Sequence, residues 1–121
     1  MEKTVLIVDD YEFNTFAVGH ALQRAGYKIF KASSGMEALK YFDSNKIDLV
    51  VTDYNMPGMN GPELIQNIRN LPGYQTVPII MLTAQKSEEE KKEAQDAGIL
   101  AWVQKPFDLP KFIQTVKGAI G

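Results

Sequence analysis

Apolar positions along this chain fall into two kinds of run. Some are short and unbroken: Val5-Leu6-Ile7-Val8, Leu49-Val50-Val51 and Ile79-Ile80-Met81-Leu82. A strand covered on both faces reads this way, and cover on both faces goes with helices on both sides of a parallel sheet. Other apolar residues recur every three or four positions, the spacing of one helix face. Between these runs stand Gly, Pro, Ser, Asn and Asp, which punctuate turns and helix ends.

Taken in order, Thr4–Val8 is the first strand and Glu12–Ala25 the first helix, stopped by Gly26. That helix is expected to bury Phe13, Ala17 and Ala21, with Val18, Leu22 and Ala25 beside them. Tyr27–Ala32 is a less apolar strand, fit for a sheet edge. Ser34 with Glu37 predicts a capping box opening a helix with Ala38, Leu39 and Phe42 that fades by Asn45. Asp48–Thr52 is the third strand. Asn60 and Glu63 open a helix striped by Leu64, Ile65, Ile68 and Leu71, with Pro62 tolerated in its first turn. Val77–Leu82 is the fourth strand, ending at Thr83-Ala84. Ser87 with Glu90 predicts another capping box. The helix that follows, Glu88–Ala97, is nearly all charged, and only Ala94 and Ala97 suit burial. It gains little from packing and is expected to be the least firmly held. Ile99–Val103 is a short fifth strand. Asp108 then caps a last helix with Pro110 in its first turn and Phe112, Ile113, Val116 and Ile120 on one stripe.

Strands alternating with helices predict an α/β fold. Right-handed crossovers and two covered faces lead to a doubly wound five-stranded parallel sheet of flavodoxin-like type, in strand order 2-1-3-4-5, with five helices. The 121 residues are expected to form a single domain, 1–121. A net charge of −2 argues against a nucleic-acid or anionic-membrane surface. With no cysteine, disulfide, thiolate and zinc-thiolate chemistry are excluded. The N-terminal apolar run, broken by Asp9-Asp10, is too short for a signal peptide or a membrane span.

In such sheets ligands bind beyond the carboxyl ends of the strands. Those ends carry Asp9-Asp10, Asp53 and Thr83, and Lys105 follows the fifth strand. Singly, each has an ordinary structural explanation: a turn Asp, a helix-capping acid, a turn hydroxyl, a solvated Lys. Together they are harder to dismiss. Three crowded carboxylates need a cation, and an all-oxygen set without His or Cys favours Mg²⁺, with Mn²⁺ also suitable. Lys105 is a point charge fit for a phosphoryl oxygen, and Thr83 offers a hydroxyl. The set suits phosphoryl transfer to a carboxylate, with Asp53 as nucleophile.

With Val8-Asp9-Asp10, Asp53 followed by Met56-Pro57-Gly58-Met59-Asn60-Gly61, Thr83-Ala84 and Lys105-Pro106-Phe107, the chain resembles the response-regulator receiver domains, the CheY-like family, from about Lys3 to Ala119. The resemblance implies that Asp53 is the phosphoacceptor. It implies that Asp9, Asp10, Asp53 and the backbone carbonyl of Asn55 hold Mg²⁺, and that Thr83 and Lys105 meet the phosphoryl group. It implies a cis peptide before Pro106, a histidine kinase as phosphodonor and loss of the group by hydrolysis. At Trp102 the family usually carries a Tyr or Phe that turns inward with Thr83; the larger Trp departs from that pattern. Asn55 and Gln85 are expected to tune the lifetime of the phosphoryl group. The fourth helix, fifth strand and last helix form the expected output face for a downstream protein target.

On this reading the chain is a cytoplasmic signalling module and not an enzyme beyond self-directed transfer and autodephosphorylation. It binds no nucleic acid and no membrane itself and is a monomer when unphosphorylated. It is a free-standing regulator, chemotaxis-type among others, or a receiver excised from a hybrid histidine kinase or longer regulator. The rivals are a haloacid-dehalogenase-type phosphatase, which needs Asp-x-Asp after its first strand; a flavodoxin-like cofactor binder, which needs a phosphate loop where acids stand; and a constitutive interaction domain. His20, mid-helix, is read as a structural or surface residue.

Overall fold

The computed structural model describes residues 2–84 and 87–121. β1 (Thr4–Val8), β2 (Lys28–Ala32), β3 (Leu49–Thr52), β4 (Ile79–Thr83) and β5 (Ala101–Gln104) pair in parallel in the order β2-β1-β3-β4-β5. Between and after them run α1 (Glu12–Arg24), α2 (Gly35–Lys40) with a 3₁₀ turn at Tyr41–Asp43, α3 (Gly61–Arg69), α4 (Glu88–Asp96) and α5 (Leu109–Ile120). The sequence-based topology and edge strands are those observed, with boundaries moved by one or two residues.

Strand side chains alternate between faces, and the unbroken apolar runs divide accordingly. Leu6, Val8, Val50, Ile79 and Met81 pack with Ala38, Phe42, Leu64, Ile65, Ile68 and Ala94, so α2, α3 and α4 cover one face. Val5, Ile7, Leu49, Val51, Ile80 and Leu82 pack with Val18, Leu22, Phe112 and Val116, so α1 and α5 cover the other. The same alternation puts Trp102 with the first group and Ala101 and Val103 with the second.

Two expectations are corrected. The face α1 buries is Thr15, Val18, Gly19 and Leu22; Phe13 is 65 % exposed, as is Phe16 at 62 %. Small side chains bring the helix close to the sheet: a Cβ on Gly19 would meet Ile7 and Ile29 at 3.5 Å, ordinary contact distance. Val18 and Leu22 are buried as expected, but they share their face with the small Thr15 and Gly19 and not with Phe13. The capping boxes also differ. Asn60 and Glu63 exchange both bonds. Ser34 and Ser87 each accept from the backbone N–H three residues on, but neither box closes. Glu37 accepts instead from the Ser33 hydroxyl, and Glu90 has a buried carboxylate oxygen without a partner among the described residues.

The turn after β3 is shaped by two glycines. Gly58 sits at φ +81°, after Pro57, where a side chain would be strained. A Cβ on Gly61 would lie 2.8 Å from the Asp53 carbonyl oxygen, so only Gly lets α3 start this close to the strand end. Arg69 closes the far end of α3. Its guanidinium donates to the carbonyls of Tyr74 (3.3 Å), Val77 (2.6 Å) and Gly98 (3.1 Å), tying α3 to the turn that follows α4. Burial lowers its pKa from the ordinary arginine value.

Candidate functional site

The register of the central strands builds the site. Val8 pairs with Thr52 and Thr52 with Met81, so β1, β3 and β4 end at nearly one level. Asp9 and Asp53 are each the first residue past a strand. The Asp53 N–H donates to the Val8 carbonyl (3.0 Å), and the Asp9 N–H to Ala32 (3.1 Å). Both backbones are thus fixed by the sheet, and their carboxylates project from its edge.

Asp9, Asp10 and Asp53 each offer a carboxylate oxygen such that the three atoms lie within 4.8 Å of one another. Asp9 is buried, Asp53 half-buried and Asp10 exposed. The cation beside them is Lys105, whose Nζ stands 2.9 Å from Asp9 Oδ2 and 3.8 Å from Asp53 Oδ2. The Lys105 N–H donates to the Thr83 carbonyl (2.9 Å), and the Lys105–Pro106 peptide is cis. Thr83 is the last residue of β4 and is buried. Asn55 lies exposed in the loop two residues past Asp53. Gln85 lies outside the described residues.

Neither acid of the first pair caps α1. Its N-cap is Tyr11, which makes no side-chain cap bond. Asp9 is itself held: Oδ1 accepts from the Tyr11 N–H (2.9 Å), and Oδ2 accepts from Asn14 Nδ2 (3.2 Å) as well as from Lys105. Asn14 is a positioning residue: its place in the first turn of α1 aims it at the strand end.

Tyr54 is the second such residue. Its N–H donates to Asp53 Oδ1 (2.7 Å), its hydroxyl donates to Glu93 Oε2 on α4 (2.9 Å), and its carbonyl accepts from the Gly61 N–H (2.7 Å). Its ring lies 6.4 Å from that of Trp102, tilted by 59°. Burial first, then the hydrogen bond and charge of Glu93 and the charge of Glu90, push the Tyr54 hydroxyl pKa up to about 12. The hydroxyl therefore keeps its proton and donates it to Glu93. Trp102 is half-buried on β5 opposite Met81. His20 is exposed and stacks on Phe16 at 6.1 Å, a surface pairing.

The donor set fits a hard divalent cation: three carboxylates, no nitrogen or sulfur ligand, and an exposed member that leaves room for water. Among the described residues no helix is long and apolar enough to cross a membrane.

A family model for the response regulator receiver domain matches residues 5–117. The polar-differentiation response regulator DivK of Brucella ovis is 29 % identical over 121 residues, covering all of this chain and 98 % of that protein. The chemotaxis response regulator CheY4 of Vibrio cholerae superposes with a TM-score of 0.91 at 35 % identity, over 98 % of this chain and 99 % of that one. A response regulator from Chloroflexus aurantiacus gives 0.92 at 34 %, over 99 % and 98 %. The phosphatase reading finds no support in these matches.

Proposed function

The chain belongs to the response regulator receiver family, and from that premise we propose that Asp53 accepts a phosphoryl group from the phosphohistidine of a histidine kinase and thereby switches binding to a downstream protein. Receiver domains are signalling modules of two-component systems, and the whole chain, 1–121, is taken as one such domain. The observation that carries the reading is the gathering of the Asp9, Asp10 and Asp53 carboxylates, with Lys105 against Asp9 and Asp53.

In the transfer, a carboxylate oxygen of Asp53 bonds to phosphorus while the phosphorus–nitrogen bond of the donor breaks and the imidazole keeps that electron pair. Lys105, by exchanging its bond to Asp9 for one to a phosphoryl oxygen, compensates equatorial charge. The Thr83 hydroxyl donates to another of those oxygens. Asp9, Asp10, Asp53 and the Asn55 carbonyl would hold Mg²⁺, or Mn²⁺, which would supply charge neutralisation at the transferring group. Asn14 and the Tyr11 N–H keep Asp9 in place. In autodephosphorylation a water oxygen bonds to phosphorus while the bond from phosphorus to the Asp53 oxygen breaks, which restores the carboxylate and releases inorganic phosphate; Asn55 and Gln85 tune the approach of that water. Thr83 and Trp102 move together in the switch, and α4, β5 and α5 form the face that the target reads. The protein works in the cytoplasm as a monomer until phosphorylated.

Intact mass after incubation with acetyl phosphate and Mg²⁺ tests this. The parent gains one phosphoryl group; Asp53→Asn gains none; chelating the metal abolishes the gain. An unmodified parent that also fails to bind beryllofluoride overturns the reading in favour of a constitutive interaction domain.

A further inference from the structure

We infer that Tyr54 is a positioning residue through which the state of the Asp53 carboxylate reaches α4, by a backbone bond to Asp53 at one end and a hydroxyl bond to Glu93 at the other. The inference rests on Asp53 being the phosphoacceptor and concerns how that event is transmitted.

Tyr54 is the next residue after Asp53, so any change at the carboxylate is felt by its own backbone. Its N–H donates to Asp53 Oδ1 over 2.7 Å, a short bond to an anionic acceptor. Its hydroxyl reaches Glu93 over 2.9 Å. Of α4, only Ala94 is buried, so few contacts compete with that bond in placing the helix. One turn earlier, Glu90 has a buried carboxylate oxygen without a hydrogen-bond partner among the described residues, and its charge is felt at the Tyr54 hydroxyl. The hydroxyl is thus bonded to one of two carboxylates spaced three residues apart. A helix held by a few such bonds, over little apolar contact, has the makings of a two-state element.

Phosphorylation changes the near end. A carboxylate oxygen bonds to phosphorus, the donor's bond to phosphorus breaks with the pair leaving on the donor, and the carboxyl carbon now carries an acyl phosphate. The negative charge moves from the carboxyl oxygens to the phosphoryl group. The Tyr54 N–H loses its charged acceptor, the residue shifts, and the hydroxyl parts from Glu93. α4 is released, and the neighbouring Trp102 ring senses the move.

The test compares amide hydrogen exchange across Glu88–Asp96 with and without beryllofluoride and Mg²⁺, in the parent, Tyr54→Phe and Glu93→Ala, with uptake followed by intact mass after acetyl phosphate. Glu93 is exposed, so its replacement leaves the fold intact even if the Tyr54 variant does not fold. In the parent, beryllofluoride speeds exchange in α4 about fivefold to tenfold, the scale of one net hydrogen bond. Both variants exchange at the fast rate beforehand, respond less than twofold, and still take up one phosphoryl group. A bond that only stabilises would raise the rate equally in both states and leave the response at its parent size. A full-sized response in the variants, or a slowing of α4 in the parent, overturns the inference. A parent that takes up neither group overturns the phosphoacceptor reading itself and the coupling with it.

Discussion

Two helices of nine residues, α3 and α4, lie side by side on one face of the same sheet. Each opens with a polar side chain that accepts from the third backbone N–H. There the likeness ends. α3 buries Gly61, Pro62, Leu64, Ile65 and Ile68, closes its capping box and ties its end down with Arg69. α4 buries Ala94 alone, leaves its box open at Glu90, and depends on Tyr54–Glu93 and on the Arg69 bond to the Gly98 carbonyl. A groove of about 390 Å³, lined by Pro62, Gln66, Glu89, Lys92 and Glu93 among others, separates the two. α3 is held by apolar area, which is non-directional and has no second arrangement nearby. α4 is held by a few directional bonds, and these break singly. The loop after β3 thus has a fixed wall behind it and a more loosely held helix beside it.

The sharpest way to break this contrast is to remove core from each helix. Ile65→Ala is expected to cost about 2–5 kcal/mol of global stability. Ala94→Gly should cost only about 1 kcal/mol, chiefly through helix propensity. Urea unfolding of the two variants measures both. Equal losses would mean that α4 is as much a part of the cooperative core as α3, and its candidacy as the switching element would fail.

The caps sharpen the same comparison on a smaller scale. Asn60→Ala loses a reciprocal pair and should destabilise by about 1–2 kcal/mol, whereas Ser87→Ala loses one bond of 3.3 Å in a helix that frays anyway and should cost roughly 0.5 kcal/mol. The Ser87 change should instead appear as faster local exchange in α4. If the two caps cost the same in urea, α4 unfolds with the rest of the protein rather than ahead of it.

The sequence carried much of this contrast. The stripe of α3 and the charged face of α4 were both legible, because burial leaves a periodic trace. So was the convergence of Asp9, Asp10, Asp53 and Lys105, since the strand-end rule brings distant residues together once the strand order is known. What was not legible came from contacts without a period. Tyr54 and Glu93 are 39 residues apart, and nothing in either neighbourhood marks a hydroxyl that will meet a carboxylate. Arg69 looks like a basic residue in a last turn, yet it reaches three carbonyls. Thr15 and Gly19 form the buried face of α1 because they are small, a virtue that a search for large apolar residues overlooks; Phe13 drew the stripe to the exposed side.

The smallest effect is visible only in alkali, and it bears on the bond that distinguishes α4. The Tyr54 hydroxyl ionises at about 12, raised by burial and by Glu93, against roughly 10 for a tyrosine in the unfolded chain. The folded state therefore holds this proton more tightly. The stability it contributes is whole below about pH 10 and is lost as the pH rises through that value toward about 12, where the unfolded chain has given up a proton that the folded protein keeps. Tyr27, raised by burial, contributes with the same sign. Phenolate absorbance should thus show a late step in the parent, reduced in Tyr54→Phe and moved toward the ordinary value in Glu93→Ala. Burial remains in the Glu93 variant, so its shift should be the smaller part of the whole. If removing Glu93 leaves the late step where it was, the hydroxyl does not depend on α4 in solution, and the Tyr54–Glu93 bond is not what sets that helix apart from α3.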